Sequence, residues 1–262
     1  MKTQLEVNHH YGGNYHILSD PFLSSLLALL CSKDTYQPLI TDFIKLLYNA
    51  LIARVVGLEF PQKRCMIKTR MYSTHKEAIL KEKLIDFDTR VVTVNLARAG
   101  IVPSQLCYEF LNHIFKPKYV RQDHIYINRT VDDQSQVIGS QISGYKIGGS
   151  LEKSIVLFPD PMGATGGSIC ETLQLYKSRI PEKPLKWIAL HLIVTPEYLK
   201  KVKTEHPELI VYGLRLDRGL SSKRILKTVP GTHWNQEHGL NPYQYIVPGA
   251  GGLGEILNNA FV

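Results

Sequence analysis

The sequence lacks the features that mark secreted, membrane-spanning and zinc-stapled proteins. Its 262 residues include only four widely scattered cysteines, and no two of them form a CxxC pair. This pattern disfavours a disulfide framework and a structural zinc site. The most apolar window, residues 22–30, is far shorter than the roughly 20 residues that a bilayer-spanning helix requires. The first residues carry no apolar signal core, so we expect a reduced, cytoplasmic protein that is not embedded in a membrane.

Negative charge is also scarce, with 23 acidic residues against 31 Lys and Arg and a formal net charge of +8. Such an excess suits either nucleic acid or a small polyanion such as a phosphorylated substrate. No long basic block is present, and the densest stretch is residues 200–203. The pattern therefore favours the small polyanion over nucleic acid, with a plainly solvated surface as the neutral explanation.

Short apolar segments alternate with helical patterns from about residue 90 onward. The predicted strands cover residues 90–96, 124–127, 155–158, 187–194 and 210–214. Strands and helices in this order predict an α/β fold with a mainly parallel central sheet flanked by helices. At 44% apolar residues the composition is ordinary for a globular protein, which excludes a disordered chain.

The first sixty residues show helical periodicity instead. Asp20 and Pro21 form a helix-start signal before residues 22–30, and a second helical pattern covers residues 39–55. We predict a single domain over residues 1–262, with a helical N-terminal extension over about residues 1–60. The polar, glycine-containing residues 128–149 predict a flexible hairpin or a long loop, suited equally to a plain connection or to a lid.

The most informative segment follows the predicted strand at residues 155–158. Asp160 ends the strand, and a turn of small residues leads into a helix. Glycines let several N–H groups point into one concave space, and a helix N-terminus adds partial positive charge. Thr165 and Ser168 can donate to the same anion, and Asp160 can accept from two adjacent ribose hydroxyls. The segment lacks the GK[ST] ending of a nucleoside triphosphatase loop, and it does not contain the GxGxxG motif of dinucleotide-binding proteins. It predicts a phosphate-binding turn, although an ordinary strand-to-helix turn has the same composition.

This segment, DPMGATGGS, resembles the phosphoribosyl-pyrophosphate (PRPP) motif of uracil phosphoribosyltransferases, which typically reads DPMLATGGS. Three further segments resemble that family in the same order: LARAG at residues 96–100, Arg129, and GLN at residues 239–241 followed by YIVPGAG at residues 245–251. The resemblance implies PRPP-binding residues at Arg98, Arg129, Asp160, Pro161, Met162, Gly163, Ala164, Thr165, Gly166, Gly167 and Ser168. It implies uracil-binding residues at Ile246, Gly251, Gly252 and Leu253. Of these, Asp160, Arg98 and Arg129 are the implied catalytic residues.

The family resemblance also implies a fold and an activity. The fold is that of type I phosphoribosyltransferases. The activity is transfer of ribose 5-phosphate from PRPP to uracil, which gives UMP and pyrophosphate and serves pyrimidine salvage. Mg²⁺ is expected on the pyrophosphate of PRPP rather than in a protein cage. The expected partners are PRPP, uracil and further copies of the chain, in a dimer or a higher homo-oligomer.

The sequence departs from the family pattern at three further places. Gly252 stands where the family has an Asp, Glu255 replaces a second Asp, and residues 218–238 form an insertion. Two alternatives follow. One is a catalytically weakened PRPP- or nucleotide-binding regulator; an RNA-binding regulator would carry its basic surplus as one patch away from the phosphate turn. The other is a phosphoribosyltransferase for another base, favoured if the insertion around Trp234 reshapes the base pocket.

Two residues near the proposed motif have plain structural interpretations. His191 lies inside the predicted strand at residues 187–194 and is interpreted as a buried residue with satisfied hydrogen bonds. Cys170 lies in the first turn of the helix after the phosphate-binding turn and is interpreted as packing rather than as a reactive thiol.

Overall fold

The computed structural model describes residues 6–131 and 137–260, with the backbone alone at 129–131, 137–138 and 140. This part of the chain forms an eight-stranded sheet, a two-stranded sheet and flanking α-helices. The strands are β1 (Tyr15–Ile17), β2 (Gln62–Lys68), β3 (Ile79–Ile85), β4 (Arg90–Ala97), β5 (Val120–Val131), β6 (Val137–Lys146), β7 (Ser154–Pro159), β8 (Met162–Gly163), β9 (Lys186–Val194) and β10 (Leu209–Leu216). The helices are α1 (Pro21–Leu30), α2 (Leu39–Glu59), α3 (Ile101–Ile114), α4 (Gly167–Arg179), α5 (Pro196–Glu205), α6 (Lys223–Leu226) and α7 (Leu253–Asn258).

The large sheet is parallel except at one edge. Its strand order is β1-β10-β9-β7-β4-β5-β6, with β8 paired to β9, and only β5 and β6 pair antiparallel. Strands β7 and β9 are buried at nearly every position, which explains their unbroken apolar sequences. The predicted α/β fold with a mainly parallel central sheet is therefore confirmed.

Each face of the sheet packs against its own helices. Leu157 and Ile188 face one apolar cluster with residues of α1, α2, α3 and α7, whereas Val156 and Phe158 face a second cluster with residues of α4 and α5. Alternate residues of a strand point to opposite faces, so the apolar run of β7 supplies both clusters.

The N-terminal region contains more than the helices predicted from its periodicity. Helices α1 and α2 are present, and the Asp20 carboxylate caps α1 by accepting from the Leu23 N–H at 3.0 Å. Strand β1, however, joins the edge of the large sheet beside β10. Three residues are too few to show a strand period, and the sequence alone therefore missed β1.

A separate two-stranded ribbon, β2 and β3, was also missed. It pairs Gln62 with Ile85 at one end and Lys68 with Ile79 at the other. None of residues 61–88 is buried. Both faces of the ribbon are exposed in the chain, so its sequence lacks the clean alternation of a half-buried strand.

Of residues 128–149, those that the structure describes (128–131 and 137–149) adopt one of the two predicted forms, and residues 132–136 lie outside the described part. Strands β5 and β6 make an antiparallel hairpin that pairs Val131 with Val137. A hairpin rather than a long loop is therefore correct, and its flexibility stays a prediction.

The insertion at residues 218–238 is a surface loop whose two ends are held together by a hydrogen bond. The Leu220 N–H donates to His238 O at 3.0 Å, so the chain leaves and returns at nearly the same point. Trp234 anchors the excursion by donating to Pro196 O at 2.8 Å and by packing edge-on against Tyr11. The insertion thus lies against α5 and the N-terminal segment.

Candidate active site

A cavity of about 1240 Å³ opens at the carboxyl ends of β4 and β7. Its walls come from residues 96–99, 126–128, 164–169, 243–246 and 251–255, together with Gly139, Asp160, Met162, Tyr198 and Lys201. Open α/β sheets place ligands at this end of their strands. Three segments that are distant in the sequence, the Arg98 turn, the phosphate-binding turn and the C-terminal segment, therefore share one space.

The predicted phosphate-binding turn, residues 160–168, joins β7 to α4. Gly166 adopts a left-handed conformation, with φ of +81°, directly before the first residue of α4. That conformation favours glycine. The Thr165 hydroxyl accepts from the Gly167 N–H at 3.3 Å. The N-terminus of the 13-residue helix α4 thus reaches the cavity wall at Gly167 and Ser168, where its partial positive charge favours an anion.

Residues 190–195 hold the backbone of this turn. Four bonds do so: Asp160 N–H to Leu190 O (3.1 Å), Leu192 N–H to Pro161 O (3.0 Å), Thr195 N–H to Gly163 O (3.1 Å) and the Thr195 hydroxyl to Ala164 O (2.6 Å). Consecutive peptide groups of the turn are thereby fixed on β9 and on the N-cap of α5. Such anchoring pre-organises the turn before any ligand arrives.

Two of the residues in the motif lie behind the cavity wall. Pro161 and Gly163 are buried and do not line the cavity. A Cβ atom on Gly163 would lie 3.0 Å from Val194 Cγ1 and 3.3 Å from the His191 ring. Those two side chains fill the space that a larger residue at position 163 would occupy, which accounts for the one departure from DPMLATGGS.

Arg98 lies in the turn after β4. Gly100 in this turn must be bare, because a Cβ there would lie 2.7 Å from Leu96 O. Arg98 lines the cavity, and its guanidinium donates to Ala260 O at 3.2 Å. Gly254 of α7 packs directly on Ala99, so the C-terminal helix covers this turn.

The predicted second arginine, Arg129, lies on β5, where its backbone pairs with Ser140. Its side chain lies outside the described part of the structure. Asn128 and Gly139, on the two strands of the hairpin, line the cavity. The hairpin that carries Arg129 therefore borders the site.

The C-terminal segment brings all four predicted base-binding residues to the cavity: Ile246, Gly251, Gly252 and Leu253. A buried ion pair that sequence reasoning did not assign holds this segment. Asp217 accepts from Arg215 Nε at 2.6 Å and from the Gly249 N–H at 2.8 Å, and Arg215 Nη2 donates to Gly249 O at 3.1 Å. The sequence feature that could have predicted this ion pair is the occurrence of Arg215 and Asp217 two residues apart at the end of the apolar strand β10.

Gly252 makes room for another carboxylate. A Cβ on Gly252 would overlap the carboxylate of Glu255, and Glu255 lines the same cavity. The Glu255 carboxylate has no hydrogen-bond or ion-pair partner among the residues that the structure describes. The site therefore keeps a carboxylate beside position 252 even though residue 252 has no side chain.

His191 is buried and hydrogen-bonded, as interpreted from its strand. Its Nδ1 lies 2.5 Å from Asp160 O and its Nε2 lies 2.7 Å from the Tyr198 hydroxyl. Burial lowers the pKa of His191 to about 4, although the bond to Asp160 acts in the opposite direction. The ring is therefore neutral near pH 7.

One cluster outside the cavity has metal-ligand residue types: Cys170, Glu205 and His206. Both ring nitrogens of His206 are already bonded, Nδ1 to the Lys177 ammonium at 2.7 Å and Nε2 to Cys170 O at 3.1 Å. Burial raises the pKa of Cys170 to about 12. These bonds and the neutral thiol favour packing over metal binding, and they agree with the interpretation of Cys170.

Tyr198 and Lys201 are among the cavity residues that the sequence analysis did not predict. Tyr198 and Lys201 lie one turn apart on α5 and line the cavity near Gly166. In the sequence Lys201 lies in the most basic stretch, residues 200–203, and Tyr198 lies just before it, a pattern that indicates a solvated helix face. Only the packing of α5 beside the phosphate-binding turn gives them a place in the site.

Comparison with known proteins gives a consistent result. The sequence model of the uracil phosphoribosyltransferase family matches residues 17–233. A uracil phosphoribosyltransferase from Variovorax paradoxus (strain S110) is 25% identical over 92% of this chain and 96% of its own. One from Rhodococcus jostii (strain RHA1) is 25% identical over 94% and 98%. The solved structure of the AQ2163 protein from Aquifex aeolicus superposes with a TM-score of 0.69 at 21% identity, covering 93% of this chain and 97% of that one.

Proposed function

Because the chain belongs to the uracil phosphoribosyltransferase family, we propose that it transfers the ribose 5-phosphate group of PRPP to N1 of uracil, giving UMP and pyrophosphate. The observation that carries this proposal is the shared cavity: an anchored phosphate-binding turn, an arginine turn and a glycine-rich C-terminal segment line the same space. This activity would serve pyrimidine salvage in the cytoplasm. Cell fractionation tests that location.

PRPP would extend between the two phosphate sites of the cavity. The turn from Ala164 to Ser168 would hold the 5′-phosphate on backbone N–H groups, with the Lys201 ammonium nearby. Asp160 would accept from the ribose hydroxyls. Arg98 and Arg129 would hold the pyrophosphate, because guanidinium groups match pairs of phosphate oxygens.

Uracil would bind along the C-terminal segment. It offers two carbonyl oxygens and an N–H, which the backbone at Ile246, Gly251, Gly252 and Leu253 can match without a charged side chain. The hydrogen bonds of Asp217 and Arg215 to the Gly249 backbone would keep this segment rigid. A pre-ordered backbone lowers the entropy cost of binding a small ring.

The reaction forms the N1–C1′ bond while the bond from C1′ to the pyrophosphate oxygen breaks, and the proton on N1 of uracil passes to the departing pyrophosphate or to water. Positive charge develops on the ribose, and no covalent nucleophile is required, so electrostatic stabilisation and positioning supply the catalysis. Asp160 would stabilise the developing cation, and the arginines the departing anion. The oxygen donors of Asp160 and Glu255 suit Mg²⁺ brought by PRPP, which when bound adds charge neutralisation on the pyrophosphate.

The alternative of a different base has no support from the insertion. None of residues 218–238 lines the cavity, and Trp234 packs against Pro196 and Tyr11 on the far side of α5. The weakened-enzyme alternative loses part of its basis because the Glu255 carboxylate fills the space at Gly252. Uracil therefore remains the favoured base.

The test is UMP formation from uracil, PRPP and Mg²⁺, run beside cytosine, orotate and purine bases. We expect turnover with uracil alone, and Asp160→Asn should lower kcat by at least about a hundredfold because a charge-stabilising group is lost. Turnover with another base would correct the substrate. No turnover with any base, alongside measurable PRPP binding, would overturn the enzyme proposal.

One observation favours the RNA-binding alternative. Residues 62–85 contain seven Lys and Arg against two Glu, so most of the net charge lies on the β2–β3 ribbon, away from the cavity. Cross-strand pairing places Arg64, Lys68, Lys81 and Lys83 on one face of the ribbon.

Fluorescence anisotropy with single-stranded RNA tests this second function. Four phosphate contacts would give a log–log salt slope of about −2.8, which the double variant R64E/K83E should reduce. The absence of salt-sensitive binding at low salt would exclude it.

We also propose a homo-oligomer, a dimer or higher. The opposite face of the ribbon carries Cys65, Ile67, Leu80 and Leu84, with Ile67 43% and Leu80 42% exposed. Isolated two-stranded ribbons are at best marginally stable in water. Contact with a second copy of the chain would bury this face. Analytical ultracentrifugation measures the resulting oligomeric state.

A further inference from the structure

A buried hydrogen-bonded pair lies directly behind the phosphate-binding turn. His191 of β9 and Tyr198 of α5 are each about 1% exposed, and their rings meet edge-on with centroids 4.7 Å apart. His191 contacts Asp160 through Nδ1 at 2.5 Å and Tyr198 through Nε2 at 2.7 Å. The ring thus connects the end of β7 to the first turn of α5.

The chemistry of the three groups determines where the protons lie. Asp160 O is a carbonyl and can only accept, so Nδ1 of His191 carries the proton. In a neutral ring Nε2 is then an acceptor, and the Tyr198 hydroxyl must donate to it. Both hydrogen bonds are satisfied in this one arrangement, and a buried site penalises leaving either unmade.

The pair contacts the turn at three places. Residues 190 and 191 together hold Asp160, since Leu190 O accepts from the Asp160 N–H at 3.1 Å while His191 donates to Asp160 O. The His191 ring packs under Gly163, and the Tyr198 ring packs 3.5 Å from where a Cβ of Gly166 would stand. Tyr198 also lines the cavity.

We propose that His191 and Tyr198 are positioning residues, which orient the Asp160 carboxylate and the phosphate-binding turn without touching the reacting atoms. This inference rests on the proposed phosphoribosyl transfer. A rotation of the Asp160 peptide would move its carboxylate relative to the ribose, and misplacement by about 1 Å costs on the order of a hundredfold in rate. Gly163 belongs to the same arrangement, because a Cβ there would press on both the His191 ring at 3.3 Å and Val194 Cγ1 at 3.0 Å.

Four variants separate positioning from packing. His191→Asn keeps an N–H near the place of Nδ1, whereas His191→Val removes it. The double variant G163L/H191V refills the volume of the ring but restores no donor to Asp160. Tyr198→Phe removes one hydroxyl and leaves the packing of the ring intact.

We expect H191V to lower kcat about ten- to a hundredfold, and H191N to lose less than about threefold. G163L/H191V should recover the thermal stability that H191V loses but not the lost kcat. Tyr198→Phe breaks the same bond to Nε2 that H191N lacks, so it should lower kcat about threefold, as H191N does, and lower Tm because Nε2 loses its donor. Recovery of kcat in G163L/H191V would overturn the proposal, because packing alone would then explain the pair. Equal loss in H191N and H191V would also overturn it.

Two measurements do not depend on turnover. ¹H–¹⁵N NMR of the histidine rings should show the His191 proton on Nδ1, at low field, with the Nε2 resonance displaced in Tyr198→Phe. Calorimetry with ribose 5-phosphate should show weaker binding in H191V than in H191N. A proton on Nε2, or equal affinities in the two variants, contradicts the inference even if the wild-type protein transfers no base, so its failure is distinguishable from that of the proposed function.

Discussion

At the scale of single residues, Gly252 in the cavity wall and Gly163 behind it each border a space that a polar side chain occupies, together with Val194 in the case of Gly163. The His191 ring lies against Gly163, and the Glu255 carboxylate overlaps the place of a Cβ on Gly252. Each glycine and its neighbour form a matched pair, so each should show strong non-additivity on mutation.

Gly252→Asp tests the second pair. The new carboxylate would collide with Glu255 and repel it, so we expect kcat/KM for PRPP to fall at least about tenfold. Glu255→Ala alone should also lower kcat/KM, because the carboxylate at this point is lost. The double variant G252D/E255A should be more active than either single variant. Steady-state kinetics give kcat/KM for the wild type, both single variants and the double variant. A kcat/KM of the double variant that does not exceed that of Glu255→Ala would refute the pairing.

The lowered pKa of His191 makes stability depend on pH. As pH falls from about 6.5 towards 4, the unfolded chain protonates His191 while the folded protein, with a pKa of about 4, does not. The unfolding free energy therefore falls through this window and levels off below it. Urea titrations at pH 7 and pH 4 should show a decrease up to about 3 kcal/mol larger for wild type than for His191→Asn. Equal decreases would contradict the buried neutral ring.

At the scale of elements, a buried carboxylate fixes the base of the β5–β6 hairpin. Asp123 is fully buried and accepts from Arg121 at 3.0 and 3.2 Å, from the Tyr176 hydroxyl at 2.8 Å and from the Gly148 N–H at 2.9 Å. Arg121 also donates to the carbonyls of Gly149 and Ser150. The cluster joins β5, α4 and the return of the hairpin, and so orients the strand that carries Asn128 and Arg129.

Arg121→Met would leave the Asp123 charge buried without its cation. Loss of one partner of a buried pair costs about 3–5 kcal/mol, and we expect that decrease in the unfolding free energy from urea titration. Tyr176→Phe removes only one neutral donor and should cost about 1–3 kcal/mol. If Arg121→Met lowered the unfolding free energy no more than Tyr176→Phe does, the ion pair would not be the interaction that holds the hairpin.

At the scale of the whole molecule, the ribbon is the part of the described chain that packs least on the core. We expect a second copy of the chain to bury the apolar face of the ribbon, which carries Ile67 and Leu80. Ile67→Asp combined with Leu80→Asp would place charges on that face and should shift the protein from oligomer to monomer in sedimentation velocity. The matched variant R64D/K83D, on the basic face, should leave the oligomer intact. An oligomer unaffected by the first variant would place the interface elsewhere.

No helix among residues 6–131 and 137–260 is long and apolar enough to cross a bilayer. The longest, α2, instead buries one face in the core, with Ile44, Leu47 and Leu51 fully enclosed. The buried apolar residues of α2 therefore pack on the sheet and on α1 and α3.

The sequence alone determined the features that depend on neighbouring residues. Strands β4, β5, β7, β9 and β10, the capped start of α1 at Asp20 and the glycine turn from Asp160 to Ser168 each follow from a contiguous pattern, since periodicity, caps and glycine turns act within a few residues. Strand β8 was not predicted, and β6 was predicted only as one arm of a hairpin that a long loop could equally have replaced. Short or exposed strands such as β1 and β2 carry too little pattern and were missed.

The tertiary structure alone decided the contacts between distant segments. The bond of His191 to Asp160 spans 31 positions, and that of Asp217 to Gly249 spans 32. Glu255 is only three residues from Gly252, yet its side-chain direction depends on α7 starting at Leu253 and packing on Ala99. A one-dimensional pattern records which residue types are present, but the filling of a space depends on which side chains the fold brings together, because packing and hydrogen bonding act over a few ångströms in three dimensions.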